Sequence, residues 1–282
     1  MESIHLNHAM VLNYLPERPV ESHKGDYGKV LLLCGSKGYT GAAALAAMGA
    51  LRSGAGLVYL GVPESIYAIE AVKLTEPIIF PLPDRNGMLA AEAKDRVLSI
   101  LPDMNAVLIG PGLGRSEDVE HIVCEVVRTC QCPMVLDADG INSMIGHKDI
   151  LRGRAAATVL TPHAGEFYRI AGFHPEDRVE SAALLAKELN SIVLLKGHES
   201  VITDGQTVYI NPTGNPGLAT GGSGDVLAGI IVSLIGQGIE PLKAASCAAW
   251  LHGAAADDCA SVLGQYGILP TDVISAIPRL MK

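Results

Sequence analysis

The chain is organised around short apolar segments that each end in a glycine, a proline or an aspartate. Each segment is nearly continuous in apolar character, which is typical of strands buried on both faces of a sheet. The strand-like segments cover residues 29–36, 56–63, 106–112, 134–140, 158–166 and 191–197. Helix-like segments alternate with them at about 41–53, 90–100, 116–129, 141–151, 165–172 and 178–189. This alternation predicts a doubly wound α/β fold with a mostly parallel central sheet.

The pattern changes after residue 197. Residues 200–211 alternate apolar and polar side chains and contain Asp204-Gly205, a strong hairpin signal. A glycine-rich turn follows, and after it come an apolar helix at 225–237 and an alanine-rich helix at about 241–260. No linker or repeat divides the sequence. We therefore predict one domain over residues 1–282, with residues 1–20 as an N-terminal extension.

Composition narrows the classes of function. Hydrophobic residues make up 49% of the chain and the formal net charge is −9 without a basic run, so no nucleic-acid partner is expected. The N-terminus lacks the pattern of a signal peptide, and the apolar run at 226–239 is too short to cross a bilayer. The six cysteines form no C-x-x-C pair. We expect reduced thiols in a cytoplasmic protein without membrane contact.

Glycine-rich and polar turns follow the predicted parallel strands. In open parallel sheets, ligands bind beyond the carboxyl ends of the strands. The turns lie at 35–41, 110–114, 137–140, 161–166 and 196–200. Because parallel strands end at the same edge of a sheet, these turns are predicted to form one binding rim.

The turn Gly221-Gly222-Ser223-Gly224-Asp225 carries the most specific chemistry. Glycines let backbone N–H groups converge on an anion, and a helix N-terminus adds the positive end of its dipole. Phosphate is the natural occupant. Asp225 could then accept a proton from a hydroxyl that attacks the terminal phosphate. The simpler alternative is that Asp225 only caps the helix.

Six motifs in order resemble one family. GGSGDVLAG resembles the glycine-glycine-x-glycine-aspartate signature of the ribokinase-like superfamily. The whole set resembles the ADP/ATP-dependent NAD(P)H-hydrate dehydratases, from about residue 10 to 280. The motifs are HKGDYGKVLLLCGSKGYTGAAALAAMGALRSGAG (23–56), IGPGLGRS (109–116), VLDADGIN (135–142), LTPHAGEF (160–167), LLKGHESVI (194–202) and NPGLATGGSGDVLAG (215–229).

The resemblance implies a ribokinase-like three-layer α/β/α sandwich and a hydro-lyase activity. Such enzymes use ADP or ATP to phosphorylate the ring hydroxyl of hydrated NADH or NADPH, and phosphate then leaves to restore the reduced cofactor. Mg²⁺ is expected because phosphoryl transfer requires charge neutralisation. The resemblance further implies a homo-oligomer, with a tetramer as one form, and a functional partnership with a separate epimerase, since no epimerase domain is expected within this chain.

The resemblance also assigns roles by position. Asp225 corresponds to the catalytic base and contacts the substrate. The nucleotide-binding positions are Lys196, Gly197, His198, Glu199, Ser200, Gly222, Ser223 and Gly224. The positions that line the hydrated dinucleotide are Ala42, Ala43, Gly112 and His163.

Several assignments stay open at the level of sequence. Glu166 is a weak candidate metal ligand, because His163 replaces the asparagine that many superfamily members carry three residues earlier. Asp137 and Asp139 could position water or Mg²⁺, or cap the helix predicted to begin at Ile141. Three tyrosines could stack on rings, namely Tyr27, Tyr39 and Tyr168. The choice between ADP and ATP, and between the two hydrated cofactors, cannot be read from the sequence.

Two alternative functions remain. A small-alcohol kinase of the same superfamily would share the turn at Asp225 but release a phosphorylated product. A non-catalytic nucleotide-binding regulator would share the binding turn but would not require the carboxylate.

Overall fold

A computed structural model describes residues 2–282. The strands are β1 (Ser3–His5), β2 (Lys29–Leu33), β3 (Leu57–Pro63), β4 (Ile78–Leu82), β5 (Asp84–Arg85), β6 (Met88–Leu89), β7 (Ala106–Ile109), β8 (Met134–Leu136), β9 (Thr158–Leu160), β10 (Ile192–Leu195), β11 (Ser200–Thr203) and β12 (Val208–Asn211). The helices are α1 (His8–Tyr14), α2 (Thr40–Arg52), α3 (Glu64–Lys73), α4 (Ala93–Ile100), α5 (Glu117–Thr129), α6 (Asp139–Asn142), α7 (Lys148–Arg152), α8 (Ala164–Ala171), α9 (Arg178–Leu189), α10 (Ser223–Gly236), α11 (Pro241–Leu263) and α12 (Pro270–Leu280).

Ten strands form the central sheet, in the order β1-β12-β11-β10-β9-β8-β7-β2-β3-β4. Within this sheet, only the pairs that involve β11 are antiparallel. Strands β10, β11 and β12 form a meander, and the predicted Asp204-Gly205 turn joins β11 to β12. Separate buried clusters cover the two faces of the sheet. The predicted three-layer α/β/α architecture with a mostly parallel sheet is therefore confirmed.

Helices α2 and α10 pack closely against each other through small residues. A Cβ atom on Gly229 of α10 would lie 2.2 Å from the carbonyl oxygen of Ala46, and one on Gly49 of α2 would lie 2.7 Å from that of Val226. Neither position has room for a side chain, so the two backbones can approach. This contact sets the position of the N-terminus of α10, where Asp225 lies.

The structure corrects several predicted segments. The helix predicted at 141–151 is two short helices, α6 and α7, separated at Gly146, which has φ of 90°. The strand β4 and the helices α3 and α12 were not predicted. Residues 3–14 form β1 and α1, and Val11 is fully buried in the core. Trp250 of α11 stacks on His8, with ring centroids 5.0 Å apart, and so packs within its own chain.

No helix within residues 2–282 is long and apolar enough to span a membrane.

Candidate functional site

The turn before α10 has the geometry of an anion-binding helix terminus. Gly222 is the N-cap residue with φ of 98°, and a Cβ atom there would lie 2.4 Å from Leu45 Cδ1. The helix begins at Ser223, and its first amides have no carbonyl partners within the helix. Asp225 lies in the first turn and is not the cap. The cap alternative is therefore wrong, and the carboxylate is free for another role.

Asp225 lies in an environment that suits a proton acceptor near neutral pH. The pKa of Asp225 is raised to about 6, chiefly by burial and then by the carboxylate of Asp137, with a smaller contribution from Glu166, while Lys196 opposes these effects. A base with a pKa just below the working pH is ionised and still has substantial proton affinity. The local charges therefore give Asp225 the property that a general base requires.

Asp137 connects three strand ends through one buried carboxylate. It follows β8 and is 2% exposed. Its Oδ1 accepts hydrogen bonds from Thr161 Oγ1, beyond β9, at 2.7 Å and from Lys196 Nζ, beyond β10, at 2.8 Å. Charge-assisted bonds of this kind are strong in a dry site. The sequence left the role of Asp137 open, and the structure places it beside the base.

Lys196 lies between acidic groups and beneath the turn. Burial lowers its pKa, but Asp137, Glu166 and Asp225 outweigh burial and the net pKa is raised, so the ammonium group stays charged. Its Nζ is 3.7 Å from Glu166 Oε2. A Cβ atom on Gly224 would lie 3.3 Å from Nζ, so glycine leaves the space between this cation and the turn open. We call Asp137, Glu166, Lys196 and Asp225 the charged half of the rim.

The segment after Lys196 turns sharply. Gly197 has φ of 148° and Glu199 has φ of 49°, and the Ser200 hydroxyl accepts from the Gly197 amide at 3.2 Å. His198 and Glu199 are exposed. Arg178 of α9 lies against Gly197 and donates to the Leu195 carbonyl at 2.9 Å, and its buried Nε has no partner. This guanidinium was not predicted, because it comes from a helix outside the motif.

The other half of the rim consists of small residues. Gly112 has φ of 64°, and a Cβ atom there would lie 2.8 Å from Ala42 Cβ and 2.9 Å from Tyr39 Cβ. Tyr39 is 62% exposed. Ala43 is fully buried under Gly35, so of the two predicted alanines only Ala42 has surface at the rim. We call Ala42, Gly112 and the adjoining Tyr39 the small-residue half.

Asp139 joins the two halves and does not cap a helix. Its Oδ2 accepts from the Gly114 amide at 3.0 Å, and its Oδ1 accepts from Arg115 Nε at 3.2 Å. The helix begins at Asp139 itself rather than at Ile141, and its N-cap residue, Ala138, makes no side-chain cap. Asp139 therefore holds the loop that carries Gly112.

His163 has a structural role in addition to its place at the rim. Its Nδ1 accepts from the Gly165 amide at 3.0 Å, which caps α8, and its own amide donates to Glu166 Oε2 at 3.0 Å. The His163 side chain is 56% exposed, whereas that of Glu166 is 7% exposed. The half-exposed ring leaves His163 able to meet a ligand, whereas Glu166 is bonded to the protein.

The three tyrosines separate in the structure. Tyr39 lies at the rim, as described above. Tyr168 stacks on His174, with ring centroids 4.2 Å apart. Tyr27 bonds to Ser22 at 2.5 Å and packs under Arg18, away from the strand ends that form the rim. Only Tyr39 remains a candidate for stacking on a ligand ring at this site.

His252 supports the turn from α11 and was not predicted. The pKa of His252 is lowered to about 4, chiefly by burial and also by Lys196, and the backbone of Ser223 partly opposes them. The ring is therefore neutral at pH 7. Two buried atoms here lack a protein partner, Ser223 Oγ and His252 Nε2. Buried polar atoms of this kind accept ordered water or a ligand group.

The comparisons with known proteins agree with these features. A family model described as NAD(P)H-hydrate dehydratase matches residues 30–279. The bifunctional NAD(P)H-hydrate repair enzyme Nnr of Moorella thermoacetica is 44% identical over 284 residues, covering 98% of this chain and 53% of that protein. The chain thus spans about half the length of the bifunctional curated relatives it matches.

A relative of similar length also matches. The ADP-dependent (S)-NAD(P)H-hydrate dehydratase of Bacillus subtilis is 36% identical, with 95% of this chain and 94% of that protein covered. A crystal structure of the ADP/ATP-dependent NAD(P)H-hydrate dehydratase from Bacillus subtilis, co-crystallised with ATP and Mg²⁺, superposes with a TM-score of 0.86 at 32% identity, covering 99% of this chain and 98% of that one. The resemblance carried by the six motifs is confirmed, and the chain belongs to the NAD(P)H-hydrate dehydratase family.

Proposed function

We propose that this chain uses ADP or ATP to dehydrate hydrated NADH and NADPH to the reduced cofactors. The observation that carries the proposal is Asp225, with its pKa raised to about 6, in the first turn of a helix behind a glycine turn. A hydroxyl group is a poor acceptor of phosphate until its proton is removed, and hydroxide is a poor leaving group. The site supplies a base for the first problem and an anion-binding turn for the second.

The chain's own groups account for the phosphoryl-transfer step. Asp225 removes the proton of the ring hydroxyl, the hydroxyl oxygen forms a bond to the terminal phosphorus, and the bond from that phosphorus to the nucleotide's leaving oxygen breaks. The amides at Gly222, Ser223 and Gly224 hold the transferred group. The C–O bond of the phosphorylated ring then breaks, and its electron pair leaves with phosphate. The neighbouring carbon loses a proton to the departing phosphate, and the C–H electron pair forms the double bond that restores the conjugated ring.

Lys196 and the segment from Gly197 to Ser200 are proposed to hold the nucleotide. Lys196 stays charged and touches the open side of Gly224, so it can face a phosphate oxygen. The small-residue half is proposed to bind the hydrated dinucleotide, because only small residues let a flat ring and a pyrophosphate approach the backbone.

The acidic residues fit a divalent cation that arrives with the nucleotide. Asp137, Glu166 and Asp225 surround the single ammonium of Lys196, which leaves an excess of negative charge in a partly buried site. No group of three or more His, Cys, Asp or Glu side chains in residues 2–282 forms a ready-made metal site. Mg²⁺ would neutralise charge on the phosphates. Asp137 and Asp225 are the residues we propose to face it, with Glu166 bonded to protein donors.

The decisive experiment is one coupled assay. The purified chain is incubated with hydrated NADH or hydrated NADPH, Mg²⁺ and either ADP or ATP. We expect the absorbance band of the reduced nicotinamide to return with release of one phosphate for each cofactor restored. A small-alcohol kinase would consume nucleotide on an alcohol without restoring this band. No recovery with any of the four combinations would contradict the proposal.

Assembly and partners remain predictions. A homo-oligomer is expected from the family resemblance, and sedimentation of the purified chain tests it. A separate epimerase that interconverts the two forms of the hydrated cofactor is the expected functional partner. With a mixture of both epimers of the hydrated cofactor, this chain alone should convert one epimer and leave the other. Adding an epimerase should allow the whole mixture to be converted to the reduced cofactor.

A further inference from the structure

Two cysteines lie in contact at the end of the sheet opposite the rim. Cys130 follows α5 and Cys132 precedes β8. Their sulfur atoms are 3.4 Å apart, and the Cys130 thiol also donates to the carbonyl of Cys132 at 3.6 Å. The distance is a van der Waals contact, so the sulfurs need to move little to form a bond. All six cysteines of the chain are free thiols.

A buried arginine holds this pair in place. Arg154 is 7% exposed and donates to the carbonyls of both Cys130 and Cys132 at 2.9 Å. It also donates to Thr158 Oγ1 at 2.9 Å, which ties the pair to the start of β9. The same guanidinium therefore fixes the backbone on both sides of Gln131 and places a positive charge next to the sulfurs.

This environment favours a thiolate at one cysteine of the pair and disfavours it at other sites. The hydrogen bond with Cys132 lowers the pKa of the buried Cys130, burial opposes this effect, and Arg154 adds to the lowering, so that the net pKa is lowered. By contrast, burial raises the pKa of Cys124 to about 11 and that of Cys247 to about 12. Thiolates rather than thiols react with oxidants. Cys132 is partly exposed, so small oxidants can reach the pair.

We propose that Cys130 and Cys132 form a modification site at which hydroperoxides produce a reversible intramolecular disulfide. The thiolate of the pair attacks one oxygen of the hydroperoxide, the O–O bond breaks and a sulfenic acid forms. The second sulfur attacks the sulfenic sulfur, and its proton leaves with the displaced hydroxide as water. Two thiols and one hydroperoxide thus yield one disulfide, one alcohol (or water) and one water.

The spacing of the pair makes the modification reversible. One residue, the exposed Gln131, separates the cysteines, so the disulfide closes a small ring. Strained disulfides are more easily reduced than relaxed ones. We therefore expect a mild dithiol reductant to restore both thiols. Formation of the disulfide also protects each sulfur from further oxidation to the irreversible acids.

The test is peptide mapping of the native full-length chain. After exposure to a small excess of hydrogen peroxide, the peptide with both cysteines should lose two hydrogen atoms and regain them with dithiothreitol. Cys132→Ser should instead accumulate sulfenic and then sulfinic acid at Cys130. Cys259→Ser is the matched control, because Cys259 is also partly exposed but lies elsewhere, and it should leave the disulfide unchanged.

A second probe needs no variant. Phenylarsine oxide bridges two adjacent thiols with loss of water, so the folded chain should bind one equivalent at the peptide carrying Cys130 and Cys132. Peroxide treatment should abolish this binding. If the pair stays reduced and unlabelled in the folded chain while Cys259 or Cys124 reacts, the proposal is overturned.

Discussion

The two halves of the rim differ in composition, since one consists of charged side chains and the other mostly of backbone. The charged half consists of side chains from four different strand or helix ends, and Lys196 forms ion pairs with both Asp137 and Glu166. The small-residue half is mostly backbone, because Gly112 lies against Ala42 and leaves no room for a side chain. Under the proposed function, this difference separates two tasks. Moving a proton and a phosphate requires tuned charges, whereas holding a flat dinucleotide requires close approach.

The largest effect should come from removing the base in the charged half. Asp225→Asn keeps the shape of the side chain but cannot accept the proton, so turnover should fall about a thousandfold. Steady-state kinetics measure the loss, and calorimetric titration with ADP should show nucleotide binding within about threefold of the unmodified chain. Turnover that survives this change would leave the proposed mechanism without a base.

The ion pair of the charged half should be the main contributor to stability at the rim. Lys196→Met leaves the buried carboxylate of Asp137 without its cation and should cost about 3 kcal/mol of unfolding free energy. Urea denaturation measures the loss. Lys24→Met is a matched control, because Lys24 is exposed and makes no side-chain ion pair in the described chain, and it should change little. Equal losses of unfolding free energy in the two variants would show that the Lys196–Asp137 pair contributes no more to stability than an exposed lysine does.

Replacing Asp225 should raise the free energy of unfolding, although the same change should abolish turnover. The pKa of Asp225 is raised to about 6 on folding, so its ionised form opposes folding above that pH, and the penalty fades as pH falls toward the ordinary pKa of aspartate. Asp225→Asn should therefore be more stable than the unmodified chain by about 2 kcal/mol near pH 8, after allowance for partial exposure, and by almost nothing near pH 4.

Denaturation at several pH values measures this difference. Asp103→Asn is the control, because Asp103 is exposed and its substitution should leave the stability difference close to zero at every pH. A difference between Asp225→Asn and the unmodified chain that grows toward low pH would have the wrong sign and would contradict the charge environment described here.

The smallest effect should come from the small-residue half and should fall on binding. Gly112→Ala places a Cβ atom against Ala42 and Tyr39 at a residue with positive φ, so KM for the hydrated cofactor should rise about tenfold with little change in kcat. Gly264→Ala is the matched control, because Gly264 also has a positive φ, of 72°, but a Cβ atom there meets nothing within 4 Å. A fall in kcat alone would indicate that Gly112 acts on the charged half instead.

Sequence reasoning succeeded where the signal is local. Continuous apolar runs correctly predict the buried parallel strands, and the glycine turn correctly predicts where α10 begins, while the anion site at that turn stays a prediction. The helix predicted across Gly146 failed, since one glycine at positive φ breaks a pattern that otherwise reads as continuous. Strand β4 was missed because its proline, Pro81, departs from the apolar run typical of buried strands; the strand lies at the edge of the sheet, with Ile78 and Pro81 exposed.

The predicted site was incomplete for a related reason. The sequence identified Asp225 and the segment from Lys196, but it left Asp137 open, gave Thr161 only as part of a rim turn, and did not suggest Arg178 or His252. Thr161 and Lys196 meet Asp137 from 24 and 59 residues away, respectively. No local sequence pattern predicts such long-range contacts, because they depend on the order of the strands in the sheet.

By itself the sequence determined the layered α/β fold, the edge at which ligands are proposed to bind and the residue proposed to act as base. Each of these follows from spacing along the chain, since apolar periodicity and glycine turns act within a few residues. The tertiary structure alone decided how Asp137, Glu166 and Lys196 surround Asp225, and that Cys130, Cys132 and Arg154 form one cluster. A pKa depends on charges a few ångströms away in space, whatever their separation in the chain.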